Sequence, residues 1–281
     1  MTVLLPEQAD ALREIQAICG RLTVDVVVIG AVAYRIWVQD EHRATEDVDV
    51  VVALDLPELP QLTSPLIGRG WRQDQQREHR WFSGNGARVD LLPVGEQARR
   101  DRRLAWPLGD TTMSLVGFDH VFNDAVELDL APGLRGRVVP LVVLALLKMV
   151  SYLDQRWGRR KDLEDVAAIM HAYEDAGERR FSDEVIEAAV DYTEAGSYLL
   201  GRDLGRLCAE PDERDAVERF FRAIAEQGND AVGIPGWPSY EDQNMREERF
   251  ARESSALVQG WASSEPGLRP PKRGKPSRRT T

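Results

Sequence analysis

VVVIGAVAYRIWVQDEHRATEDVDVVV, residues 26–52, decides how this chain is read. The pattern predicts a buried strand over 25–29, a tight turn at Gly30, a short helix over 31–38, a loop, and a second strand over 48–52. Asp47 and Asp49 are two apart, so on a strand their side chains point to one side of the sheet. Two carboxylates on one face repel each other unless a cation sits between them, and hard divalent cations such as Mg²⁺ prefer oxygen ligands. Gly30 falls where a strand gives way to a helix, and the free N–H groups of a helix start favour anions, phosphate above all. A phosphate cradle beside a carboxylate pair is the equipment of phosphoryl or nucleotidyl transfer. An alternating Asp-Val-Asp-Val strand edge with solvated acids produces the same letters with no metal at all.

Working outward, residues 6–19 read as a helix with Leu12, Ile15, Ile18 and Cys19 on one face, and residues 55–70 as another helix ending at Gly68 or Gly70. Asn85-Gly86 separates two extended runs, which predicts a β-hairpin over 78–92 beside the first two strands. Its second strand, RVDLLPV, carries Asp90, the candidate third carboxylate. Residues 95–137 resist assignment. LRGRVVP at 134–140 reads as a last strand, and Pro140 suits the first turn of a helix. Helical patterns then follow at 141–156, 160–174, 182–195, 197–208 and 212–227. The stretch 229–262, with Gly, Pro and two tryptophans, carries no clear pattern. The expected fold is therefore α/β: a mixed sheet with flanking helices over 1–137, a helical domain over 138–230, an unassigned extension over 231–262, and a basic, Pro-rich, disordered tail over 263–281.

At 43% hydrophobic and 30% charged, the 281-residue chain has the composition of an ordinary globular protein. Its net charge of −11 argues against a protein that coats nucleic acid. The last thirteen residues, with six basic side chains and no acid, are the exception and offer loose phosphate contacts or mere solubility. Two distant cysteines imply neither a disulfide framework nor a zinc site, and isolated His79 and His120 suggest no zinc either. Trp71, Trp81, Trp106 and Trp157 read as core or rim. No signal peptide is visible, and the longest apolar run, 138–150, is shorter than a bilayer span. The expected compartment is the cytoplasm, with no membrane partner.

The set Gly30, Ala31, Ala33, Arg43, Thr45, Asp47 and Asp49 resembles the DNA polymerase beta-like nucleotidyltransferase superfamily, and within it the AbiEii-type nucleotidyltransferases, the toxin component of some bacterial toxin–antitoxin pairs. Downstream, Lys148, Arg156 and GRRKDLEDVAAI with Asp162 and Asp165 are similar to that family's second segment, so the resemblance spans roughly 24–175. It implies a nucleotidyltransferase-like fold and an enzyme moving a nucleoside monophosphate from an NTP to an acceptor hydroxyl. By resemblance, Gly30 and Ala31 face the phosphates, Asp47, Asp49 and Asp90 bind Mg²⁺ as two ions, Lys148 meets the triphosphate, and Arg43, Thr45 and Asp162 complete the nucleotide site. The implied acceptor is RNA, tRNA among the candidates, and the implied partner an antitoxin protein. A small-molecule acceptor of the aminoglycoside kind and a non-catalytic nucleotide-binding protein are the competing functions. One departure stands out: Ala31 replaces the second glycine of the family's turn, which puts activity rather than fold in question. On bland readings, Arg43 is a solvated cation, Thr45 braces the turn, Lys148 snorkels from an apolar face, and the charges around 159–165 pair with one another along a helix.

Overall fold

In the computed structural model, residues 4–39, 45–108, 112–155, 160–175, 177–227 and 243–264 are described, with the side chains of 160 and 243–247 excepted. The chain divides into two compact units, Met1–Pro140 and Leu141–Thr281.

The first unit is built on a seven-stranded mixed sheet. Its order is β3 (Arg72–Gln73), β4 (Arg80–Phe82), β5 (Arg88–Pro93), β2 (Asp47–Val52), β1 (Val26–Ile29), β9 (Leu134–Val138) and β8 (Val126–Ala131). The centre is occupied by β-branched runs, VVVI and VDVVV, which suit a pleated surface buried on both faces. β2 runs antiparallel to β1 and parallel to β5; β4 and β5 form an antiparallel hairpin. The helix α1 (Pro6–Leu22), with proline in its first turn, buries Leu12, Ile15, Ile18 and Cys19, the expected face. α2 (Gly30–Val38) follows β1 directly, and Trp37 anchors it by donating from Nε1 to the carbonyl of Val139 at 2.8 Å.

The helix expected over 55–70 is broken. Prolines at 57, 60 and 65 leave a 3₁₀ turn, Leu56–Glu58, and then α3 (Pro60–Ile67). The unassigned stretch from 95 holds α4 (Glu96–Asp101), a separate two-stranded ribbon of β6 (Arg103–Ala105) and β7 (Thr112–Ser114), α5 (Phe118–Asn123) and β8. β8 alternates buried Leu128 and Leu130 with exposed Glu127 and Asp129, the period of a one-sided strand.

The second unit is helical among its described residues: α6 (Leu141–Asp154), α7 (Arg160–Ala172), α8 (Asp183–Glu187), α9 (Ala195–Leu207), α10 (Pro211–Gln227) and α11 (Gln243–Ala262). α6 is buried almost all round, as an apolar helix without a polar face must be. The helix expected over 182–195 stops at Glu187, because Ala189 takes a left-handed φ of 52°. Part of the extension that carried no pattern is α11, which packs closely on α9. A Cβ on Gly201 would overlap the carbonyl oxygen of Leu257, and one on Gly260 that of Tyr198. Among the described residues, no helix is long and apolar enough to cross a membrane.

Candidate active site

Strand register assembles the site in the first unit. Because β1 and β2 are antiparallel, Ile29 stands opposite Asp49, and the turn at Gly30 falls beside that carboxylate. Because β2 and β5 are parallel, Asp49 stands opposite Asp90 and Asp47 opposite Arg88. In the hairpin, Arg80 stands opposite Asp90. Residues directly opposite in adjacent strands share a face. Asp47, Asp49 and Asp90, which the sequence singled out, thus lie together on one face of the sheet's centre, with two arginines among them.

Arg80 is the group the sequence reading missed. Its Nε and Nη2 donate to the two oxygens of Asp90 at 2.8 and 2.7 Å, and Nη2 also reaches Asp47 Oδ2 at 3.0 Å. Its side chain is only 10% exposed. The hydrogen bond to Asp90 is the leading reason that the Arg80 guanidinium pKa lies above its usual value; burial opposes that rise, and the charges of Asp90, Asp47 and Asp49 reinforce it. Arg88 Nε lies 3.5 Å from Asp47 Oδ2, and its Nη2 pairs with Glu46 at 3.0 Å. His79 Nε2 stands 3.7 Å from Asp90 Oδ2.

Thr45 donates its hydroxyl to Asp47, to the carbonyl at 2.9 Å and to Oδ1 at 3.0 Å, and the buried Gln8 holds the Thr45 carbonyl at 3.4 Å. This is a brace on the entry to β2. Gly30 has φ +63°, and a Cβ there would overlap the carboxylate of Asp49. The glycine is required twice, by backbone conformation and by the approach of Asp49. Ala31 lies within the first turn of α2, and the positive φ falls on Gly30 rather than on it. Arg43, Arg156 and Arg159 lie outside the described residues, as do Trp157, residues 228–242 and the tail from 265.

The donor chemistry, carboxylate oxygens on one face, suits a hard divalent cation. The present arrangement is not a ready three-ligand cage: among the described residues, no group of three His, Cys, Asp or Glu side chains is set to hold a metal. Arg80 already spans Asp47 and Asp90.

Lys148 and Asp162 lie in the second unit. Lys148 Nζ on α6 contacts Asp162 Oδ1 at 2.7 Å and Asp165 Oδ2 at 2.9 Å, both on α7, and Ser151 Oγ donates to Asp162 Oδ2 at 2.9 Å. Burial works to lower the Lys148 pKa, and the two aspartates outweigh it, so the ammonium is held above its usual range. Lys148 is therefore one corner of a buried ion cluster tying α6 to α7, not a snorkelling side chain. A second cluster, Arg179 with Asp203 and Tyr173, pins α9 to the segment before α8. Trp71, Trp81 and Trp106 are buried.

Gly30 at the end of β1, followed by a carboxylate pair on β2 and a third carboxylate on β5, is a nucleotidyltransferase-like arrangement. The family described as "Nucleotidyl transferase AbiEii toxin, Type IV TA system" matches residues 16–242, and the chain belongs to it. No protein of curated function matches the chain. Among solved structures it is similar to an antigenic nucleotidyltransferase-like protein from Paracoccidioides brasiliensis, at 14% identity over 82% of this chain and 94% of that one, with TM-score 0.44. It is also similar to the antibiotic-resistance factor ANT(2'')-Ia, at 12% identity over 78% and 96%, with TM-score 0.39. A CCA-adding enzyme in complex with ATP is similar at 14% identity over 87% and 56%, with TM-score 0.34.

Proposed function

We propose that this protein transfers a nucleoside monophosphate from an NTP to a hydroxyl on RNA, with Mg²⁺, as the toxin of a pair neutralised by an antitoxin protein. One observation supports this reading above the rest: the register that sets Asp49 opposite Asp90, with Asp47 two residues before Asp49 on the same face. The toxin role and the antitoxin follow the description of the family to which the chain belongs; the RNA acceptor is part of the proposal itself.

Asp47 and Asp49 are the proposed ligands for Mg²⁺, and Asp90 is the third carboxylate. Bound there, the ion would neutralise the phosphates and lower the pKa of the attacking hydroxyl. Asp49 sits against Gly30, so a nucleotide resting on the N–H groups that open α2 lies beside the carboxylates. Thr45 and Gln8 hold Asp47 in place. The hydroxyl oxygen attacks the α-phosphorus, the bond to the β-phosphate breaks, and pyrophosphate leaves; the hydroxyl proton goes to Asp90. In the second unit, the family pattern assigns Lys148 and Asp162 to the nucleotide, and their charges are matched to each other within that unit.

The test is label transfer from each of the four α-labelled NTPs to total cellular RNA. Wild type is expected to label RNA, and Asp49→Ala to lose about a thousandfold or more of that activity with its fold intact. Equal labelling by both proteins would refute the mechanism. No label from either would remove RNA as acceptor and turn attention to small-molecule acceptors.

A further inference from the structure

Arg80 is anchored in the carboxylate face by three hydrogen bonds to two carboxylates. It is fixed from the backbone outward, because β4 pairs it directly with Asp90 and leaves its guanidinium lying over that residue. Both oxygens of Asp90 accept from it, and the same Nη2 that meets Asp90 Oδ2 at 2.7 Å meets Asp47 Oδ2 at 3.0 Å. One nitrogen thus bridges two carboxylates that belong to different strands. That is the position a divalent cation shared by Asp47 and Asp90 would need. A guanidinium is planar and permanently charged, so it cannot vacate the position by losing a proton.

We propose that Arg80 is a resident cation of this site, filling the place between Asp47 and Asp90, so that the native site loads one divalent cation, at Asp47 and Asp49, rather than two. The inference rests on the metal-dependent reading above and narrows its expectation of two ions. Electrostatics favours it: three carboxylates already face two guanidinium groups, those of Arg80 and Arg88, and a second divalent ion would sit in contact with a positive charge it cannot displace by titration. Asp90 then acts while clamped. Arg80 is a positioning residue that holds this carboxylate by both oxygens on the face it shares with Asp49.

Mn²⁺ alone, without nucleotide, is the probe, titrated against the full chain and followed by electron paramagnetic resonance. Wild type is expected to bind one Mn²⁺ per chain. Arg80→Gln is expected to bind a second Mn²⁺, at least about tenfold tighter than wild type does at that position, because the competing charge is gone. Adding Asp90→Asn to that variant is expected to remove the second ion again. If Arg80→Gln does not fold, Arg80→Lys carries the test: a single ammonium cannot span both carboxylates in the bidentate manner, and the second ion should appear at higher concentration. Two ions bound by wild type, or no gain in either Arg80 variant, would overturn the inference while leaving the labelling comparison of wild type and Asp49→Ala to judge the enzyme on its own. No Mn²⁺ bound by any variant would overturn both the inference and the metal-dependent reading.

Discussion

At the scale of single residues, the site depends on Gly30 rather than on its neighbour. The alanine at 31 is helical and asks for no unusual backbone, whereas Gly30 combines a left-handed φ with a Cβ position already filled by Asp49. Gly30→Ala is therefore expected to cost about 1–2 kcal/mol from backbone strain alone, and to push the Asp49 carboxylate from its place. Urea unfolding should show the loss of stability, and label transfer should fall at least tenfold, since a small displacement of a catalytic group costs rate steeply. Unchanged stability and transfer would mean that the turn relaxes around a methyl group. Gly30, Asp47, Asp49 and Asp90 were legible in the sequence because a strand's period of two and a glycine at a strand end are local signals. Arg80 was not, because its importance lies wholly in what stands opposite it. Residue type alone makes it one of many arginines on the chain.

At the scale of elements, the hairpin shows where local signals stop. Asn85-Gly86 marked it correctly, but a two-residue turn there would pair Trp81 with Asp90 and leave Arg80 beside Leu91. The observed connection is longer: Ser83 closes it by accepting from Gly86 and donating to the Ala87 carbonyl, the Ser83 hydroxyl accepts from the Ala87 N–H, and only Gly86 has positive φ. That one-residue difference in register sets Arg80 opposite Asp90. The pair α9 and α11 makes a similar point with glycines. Gly201 lies against the Leu257 carbonyl, whereas Gly20 in α1 has open space around its Cα. Gly201→Leu is expected to destabilise the protein by about 3 kcal/mol through overpacking. Gly20→Ala is expected to stabilise it by about 0.5–1 kcal/mol by restricting the unfolded chain. The two urea midpoints should move in opposite directions; a shared direction would contradict this account of the helix pair. The expected helix over 182–195 failed for a related reason. The apolar pattern continues through it, but the backbone turns at Ala189, and no residue type there announces the turn.

At the scale of the whole molecule, each unit has a core of its own. The first holds Ile15, Val27, Val50, Leu62 and Leu91, each fully buried, around a sheet that is complete within residues 1–140. Residues 1–140 expressed alone are therefore expected to unfold in one cooperative thermal transition by circular dichroism. A chain without such a transition would show that the first unit needs the second to fold. The sequence by itself determined the α/β class, the position of the turn at Gly30, the two carboxylates of β2 and the helical character of the second half, because each follows from contacts within a few residues. It also pointed to the family to which the chain belongs. Tertiary structure alone decided the full strand order and its register, and with them the meeting of Asp49 with Asp90, the bridge from Arg80 to Asp47, and the burial of Lys148 between Asp162 and Asp165. Those contacts join residues far apart along the chain. Their register is set by the packing of whole elements, which no short stretch of sequence encodes.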